Sequence, residues 1–498
     1  MRRRNFIGKS GAILAGAISS GTPRTARSSE INYHYPEIAN LPDVPLEPGK
    51  RLPFGWSAFA VPQAEATNPP VLKWSHLPTD RTARLRFTTA VDLREEIRID
   101  VRLAESGKTI GKLDIRFAPV LEPFELLLNA QQIQEVAGQG ISLVMTKGKS
   151  PVWFFQVDAD QTSHGPLQAH LLFSDQPDSL SEFYHRMASP VSLQPWGWME
   201  GCVMDGLYDL HQSTGESRFN RTLHNHISRF FDEQNQLVYE DPKSRPNDGK
   251  VSDIESTLPH AVLARITPDH PIFEKVIAFW MNHRDEAGCV RDGSTTSAEG
   301  SYTIAYPMMV IGTQRNDEAL INLAIQQLRL RRERLISEGD CWLRYHSKGP
   351  SRSFQNWARG CAWYSLGLVR TLSEYKGDED VSDLESEVTR FAEWARGYQK
   401  DSGLWNCFFH KDVPPDTSGS AGVAAALAIA VKNDILPDEY LEVSKLTLKG
   451  LEKYLTPDGF LTGVAQSNRG GQALQESDYR VISQMGMGLM AQLAAAVS

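Results

Sequence analysis

The sequence predicts an all-α (α/α)6 toroid over residues 179–498, preceded by an antiparallel β-sandwich. Three observations predict it. Apolar residues alternate with period two as far as about Phe173. After about Ser179 the period becomes helical. From there a unit of long helix, polar loop, long helix and tight turn recurs at about 50–65 residues, too long for a tetratricopeptide-type repeat but right for one helical hairpin with a connecting loop.

The first residues belong to neither domain. Arg3-Arg4-Asn5-Phe6-Ile7 followed by Lys9 and a weak apolar run, Ala12 to Ile18, reads as a twin-arginine export signal over residues 1–30. The run is too short to span a bilayer, so the mature product is expected to be soluble, and periplasmic or secreted. Residues 31–178 form the next unit. Its start, to Pro53, is polar and Pro-rich and reads as an extended strap. Leu85 and Phe87, then Ile97, Ile99, Val101 and Leu103, then Leu113, Ile115 and Phe117 alternate with polar neighbours. Apolar strands follow at Ile141–Met145, Val152–Val157 and Leu167–Phe173, the spacing of a sandwich. This domain packs on the next or binds carbohydrate.

In the third unit a helix over Trp198–Ser213, a Thr214-Gly215-Glu216-Ser217 turn and a second helix to Phe231 set the pattern. Exit turns carry Asn235, Gly288, Gly339, Gly403 and Gly459, read as left-handed caps past helix ends. Five hairpins lie between Trp198 and Tyr454. The final helix, Tyr479 to Ala495, is apolar almost all round and pairs with Ser179–Ala188, closing six pairs into a ring rather than an open solenoid.

Composition narrows the function. The net charge of −9 repels a polyanion and argues against a nucleic-acid partner, while a local Arg cluster can still hold an anionic sugar. The cysteines, five in number, cannot all pair within one chain and lack metal-site spacing. No obligatory disulfide, metal or cofactor is expected. The sequence contains no G-x-S-x-G elbow, H-E-x-x-H helix or P-loop.

Four polar clusters fall at the starts of inner helices, where a ring presents its cavity. Asp253 and Glu255 sit in Ser252-Asp253-Ile254-Glu255-Ser256, and Glu299 in Ser297-Ala298-Glu299-Gly300-Ser301-Tyr302. Acids there equally suit a helix N-terminus. The third cluster joins Trp342-Leu343-Arg344-Tyr345-His346 to Trp357-Ala358-Arg359-Gly360-Cys361-Ala362-Trp363. Arg359 and Trp363, four apart, share a helix face and make a carboxylate clamp beside a sugar-stacking indole, or an arginine snorkelling over a tryptophan-rich core. The fourth, Phe409-His410 and Asp416-Thr417-Ser418-Gly419-Ser420-Ala421, reads as a capped helix start. Carboxylates, histidine and aromatics are the equipment of glycoside chemistry.

At these clusters the chain resembles glycoside hydrolase families 88 and 105, the unsaturated uronyl hydrolases, over about residues 180–498. Trp357 to Trp363 is similar to their W-[AS]-R-G-x-[GA]-W motif, and Asp416 to Ala421 to their D/E-T-S-x-[ST]-A segment. The resemblance implies removal of a Δ4,5-unsaturated uronic acid from acidic oligosaccharides. An acidic residue protonates the enol-ether double bond and activates water, and the resulting hemiketal collapses. It assigns Glu299 as general acid/base, where the family has Asp-Gly, with Asp253 or Glu255 assisting. His346, Arg359, Trp363, Trp357, Tyr302 and Tyr345 would bind substrate. The swapped acid leaves open an exo-acting glucuronidase on saturated glucuronides. Tyr345, His346 and Arg359 keep a polysaccharide lyase open, and loss of the acid would leave a non-catalytic sugar-binding protein.

Overall fold

The computed structural model describes residues 31–63, 68–156, 162–174 and 179–498; the expected export signal at 1–30 lies outside them. The N-terminal part is β-rich. Its strands are β1 (Ile31–His34), β2 (Glu37–Ala39), β3 (Ala58–Val61), β4 (Val71–Lys73), β5 (Ala83–Thr88), β6 (Glu96–Leu103), β7 (Thr109–Arg116), β8 (Pro123–Leu128), β9 (Ile141–Lys147), β10 (Val152–Phe155) and β11 (His170–Ser174). They form antiparallel sheets in the orders β1-β11-β5-β8 and β2-β4-β9-β6-β7, with a β10-β3 pair. The alternating residues of β6, Ile97, Ile99, Val101 and Leu103, are buried, and they share one apolar cluster with Leu85, Phe87 and Leu171 of the other sheet.

Two expectations need correction here. The strap is not free chain at its start: β1 pairs with β11 and β2 with β4, at the edges of the two sheets. An unforeseen helix, α1 (Ala130–Gln139), follows β8. Its start is a reciprocal capping box, Gln132 N donating to Asn129 Oδ1 and Asn129 N to Gln132 Oε1, both at 2.9 Å. The local signal was there, but Ile133 and Val136 alone bury its apolar face, too little for a clear helical period.

The rest is helical: α2 (Ser179–Met187), α3 (Trp198–Thr214), α4 (Ser217–Arg229), α5 (His260–Ile266), α6 (Ile272–Asn282), α7 (Tyr306–Arg315), α8 (Glu318–Leu335), α9 (Ala358–Glu374), α10 (Ser382–Arg396), α11 (Thr417–Lys432), α12 (Glu439–Glu452), α13 (Gly471–Glu476) and α14 (Gln484–Val497). Short strands β12 (Thr295–Ser297), β13 (Ile336–Ser337), β14 (Asp340–His346), β15 (Ser351–Gln355), β16 (Val464–Ala465) and β17 (Arg480–Val481) lie in the connections. Helix α3 packs on α5, α5 on α7, α7 on α9, α9 on α11, α11 on α14, and α14 back on α3. The last contact is backbone-close. A Cβ on Gly488 would lie 2.5 Å from the Cys202 carbonyl oxygen, and one on Gly206 would lie 2.6 Å from the Gly488 carbonyl oxygen. All five cysteines are buried free thiols.

The exit-turn residues take the backbone expected of them, with φ of 56° at Asn235, 89° at Gly288, 86° at Gly339, 83° at Gly403 and 85° at Gly459. Their place differs from the expected helix cap. Each sits several residues beyond the helix, and pairs such as Phe231–Leu237, Arg284–Val290 and Leu455–Leu461 bridge across three of these tight turns. The positive φ is required by a tight turn as much as by a helix cap, so residue type alone did not separate the two.

One such turn docks the β domain. Asp458, next to Gly459, accepts from Arg86 Nη1 at 2.6 Å and Nη2 at 2.8 Å, and from the Tyr33 hydroxyl at 3.0 Å. Arg86 and Asp458 are both fully buried. Burial alone would raise the Asp458 carboxyl, but Arg86 and Arg186 beside it hold it well below the usual range.

Candidate active site

A cleft of about 1300 Å³, counting the solvent at its mouth, opens where the helical domain meets the β domain. Asp253, Glu255, Glu299, Trp357, Arg359 and Trp363 all line it, so residues spread over 110 positions of sequence converge on one wall.

Glu299 is placed by a strand pair. Register Ser297↔Arg344 joins β12 to β14, and Ala298 N donates to Leu343 O at 2.8 Å. The chain then turns into a π-helical segment, Ser301–Ala305, that runs into α7. Such widened turns cluster at functional sites. The glycine after the acid has a steric cause: a Cβ on Gly300 would lie 2.3 Å from Nη2 of the buried Arg331. Asp253 precedes a short 3-10 turn, and its Oδ1 accepts from Ser256 N at 2.7 Å. The capping role considered for it is therefore real, and it lines the cleft as well. Glu255 opens the turn and is half-buried.

The two glutamates govern each other. Burial, then the Glu299 and Asp253 carboxylates, push Glu255 up to about 8. Burial also raises Glu299, against the pull of Arg344 and, more weakly, Arg359. Burial raises Asp253, with the Ser256 amide opposing. With its carboxyl raised to about 8, Glu255 therefore keeps its proton at neutral pH, because desolvation and the neighbouring like charge both oppose its ionisation. A carboxyl pair holding one proton can donate it and take one back.

Cations and indoles complete the wall. Trp357 is the N-cap residue of α9 and Trp363 lies one turn in, 3 % exposed. The Arg359 guanidinium stacks over Trp357 at 4.8 Å. It is not a free clamp, which corrects the expectation: Nη1 donates to Ala465 O at 2.8 Å and Nη2 to Gln466 O at 2.6 Å. A guanidinium has five N–H donors, so some remain for a ligand. Trp198, which the sequence reading passed over, packs edge-on to Trp363 at 5.5 Å and lines the cleft.

Three expected substrate contacts fall outside the lining. Tyr302 is fully buried behind Trp363, stacked at 6.0 Å, with its hydroxyl donating to Asp205 at 2.5 Å. It supports the indole rather than reaching the cleft, because the π-helical segment turns it into the core. Tyr345 lies under Arg352, 5.5 Å from ring to guanidinium carbon. His346 Nδ1 faces Thr295 Oγ1 at 3.1 Å on the β12–β14 ladder. Alternation on β14 puts Arg344, not Tyr345, toward the acids, and it is Arg344 that pulls on both glutamates. Arg469, Gln466 and Glu122 also line the cleft and were not foreseen. They come from loops without periodicity, and Glu122 from the other domain. Asp416 is structural: its Oδ1 caps α11 through Ser418 N at 3.0 Å and accepts from Ala465 N at 3.0 Å. Among the described residues no three His, Cys, Asp or Glu side chains gather where a metal ion could sit.

The family model "Glycosyl Hydrolase Family 88" matches residues 181–497. Among solved structures the chain is similar to a family 105 glycoside hydrolase from Clostridium acetobutylicum ATCC 824, at TM-score 0.55 and 17% identity over 65% of this chain and 99% of that one. A possible family 105 member from Salmonella enterica serovar Paratyphi A gives TM-score 0.53 and 18% identity over 62% and 83%. An unsaturated glucuronyl hydrolase specific for heparin gives TM-score 0.50 and 14% identity over 64% and 94%. At these identities the likeness is one of fold. Among curated proteins none matches.

Proposed function

The chain belongs to glycosyl hydrolase family 88, and from that premise we propose that it removes a terminal Δ4,5-unsaturated uronic acid from acidic oligosaccharides. The observation that carries this reading is the Glu255–Glu299 pair, raised by desolvation and drawn on by Arg344, lining one cleft with Arg359 and the Trp357 and Trp363 indoles. In such a sugar the carboxylate is borne on C5, next to the reacting C4. A group beside the cations that hold the carboxylate is therefore the one placed over the double bond. Glu299 feels both arginines, so it is assigned as general acid/base, with Glu255 as the partner that keeps its proton available. The proton goes to C4 and hydroxide from water to C5. The water's own proton returns to the carboxylate, so the pair is restored, and the hemiketal then opens and releases the aglycone. The heparin-specific glucuronyl hydrolase of similar fold supports the substrate class.

The closed succession of packing partners supports reading the helical domain as an (α/α)6 toroid, and the two sheets sharing a core support a sandwich. Arg3-Arg4 and the residues after them support export to the periplasm or medium. Among the described residues no helix is long and apolar enough to cross a membrane.

The test offers lyase-generated unsaturated oligouronides beside saturated glucuronides. Loss of the enol-ether absorbance, with only the unsaturated substrate consumed, is expected. Turnover of saturated glucuronides alone would overturn the reading.

A further inference from the structure

We infer that the N-terminal β domain is part of the active site, and that Glu122 is the positioning residue through which it acts. The inference rests on the reading of Arg359 as a substrate-facing group. Phe117 and Pro119 to Glu122 line the cleft together with the helical residues. It enters through two non-glycine residues in the left-handed region, Phe117 at φ 52° and Leu121 at φ 68°, a conformation that costs energy and collects at functional sites. The loop is pinned from both sides. Thr89 Oγ1 donates to Pro119 O at 2.7 Å, Leu121 N donates to Thr89 O at 2.8 Å, and Gln484 Nε2 of α14 donates to Leu121 O at 3.0 Å.

This brings the Glu122 carboxyl, 5 % exposed, onto Gln466. Gln466 Nε2 donates to both its oxygens, at 2.9 and 3.1 Å. The Gln466 carbonyl in turn accepts from Arg359 Nη2 at 2.6 Å and from Gln475 Nε2 at 2.9 Å, and Gln475 Oε1 accepts from Trp357 Nε1 at 3.2 Å. A single side chain of the β domain thus fixes the residue that orients the guanidinium and, one link further, the indole beneath it. Domain adhesion does not need it, since Arg86–Asp458 already supplies a buried ion pair. Glu122 forms no ion pair among the described residues, and burial pushes its carboxyl well above the usual range. Such a group costs stability, which a purely adhesive role would not require.

The experiment compares E122A, E122Q and Y479F with the full chain, on whichever uronide the wild type turns over. Tyr479 joins the domains through Asp114 O and Arg116 N, both at 3.1 Å, outside the cleft lining. E122A is expected to raise KM and lower kcat/KM about tenfold or more, as misplaced binding groups do. E122Q keeps an oxygen for Gln466 and is expected to restore kcat/KM to within about threefold of wild type. Y479F is expected to lower thermal stability and leave KM unchanged. If E122A does not fold, E122D, whose carboxyl is withdrawn by one methylene, carries the KM test. An unchanged KM in E122A or E122D, or losses that track melting temperature equally in E122A and Y479F, overturns the inference. Failure of the substrate reading shows instead in the wild-type substrate profile, so the two are separable.

Discussion

A fully buried acid and a pair of half-buried acids sit about the same domain junction and behave in opposite ways. At Asp458 the carboxyl is fully buried but met by Arg86, by Tyr33 and by Arg186, and it is held ionised. In the cleft, half-buried Glu255 and Glu299 are raised by desolvation and Glu255 also by the Glu299 charge, and Arg344 and Arg359 only partly offset this. Burial is common to both. The difference is whether a matched cation closes the account: where it does, the acid holds domains together, and where it does not, a proton stays available for chemistry.

The largest expected effect is on the chemistry. E299Q keeps the shape but cannot shuttle a proton, and kcat is expected to fall about 10²–10⁴-fold, with the circular dichroism spectrum and melting profile retained. A fall of less than about tenfold would move the acid/base role elsewhere in the cluster. Next is D458N at the junction, which leaves Arg186 without its carboxylate and Arg86 with Glu125 alone. Breaking a buried pair in this way costs about 3–5 kcal/mol, read as a lower denaturant midpoint. The sign of its pH dependence is fixed by the lowered Asp458 carboxyl. Its stabilisation is complete above the unfolded value of about 4 and is lost as pH falls through the native value, so D458N and wild type should converge only in acid. The smallest effect concerns the other limb. Glu255 is raised from 4.5 to about 8, so it keeps its proton at neutral pH; its contribution to stability is complete below about 4.5 and is lost progressively up to about 8, while activity should fall as pH rises through about 8. In E255Q the decline of stability between about pH 4.5 and 8 should flatten, because the amide has no proton to lose. A stability profile over that window identical to wild type would show that Glu255 does not hold its proton at neutral pH.

Much of the architecture was written locally. The period-two run Ile97 to Leu103 buries its odd members, the first helix pair falls where the 3.6-residue period placed it while the last helix begins at Gln484 rather than Tyr479 because Arg480–Val481 pairs as a strand, and Asn235, Gly288, Gly339, Gly403 and Gly459 each take the positive φ their residue types advertise. Both properties depend only on neighbours in the chain, which is why they are readable there. The acids were legible for the same reason, each sitting in a short polar segment ahead of an apolar helix.

What sequence could not show is which side chains meet. Tyr302 and Glu299 are three residues apart, yet one is core and the other lines the cleft, because Tyr302 belongs to the π-helical segment that begins at Ser301 and Glu299 precedes it. Arg344 outranks Tyr345 because alternation on β14 turns it to the other face, and it outranks His346, on the same face, because it pairs with Ser297, two residues from Glu299, while His346 pairs with Thr295. Glu122 and Gln466 are separated by 344 positions and hydrogen-bond directly. The sequence by itself determined the periodicity, the turns and the candidate acids, since these are set by local backbone and solvation preferences. Only the tertiary structure decided the Glu255–Glu299 pair, the cations beside it and the β-domain wall, since each is a contact made when distant segments close on one another.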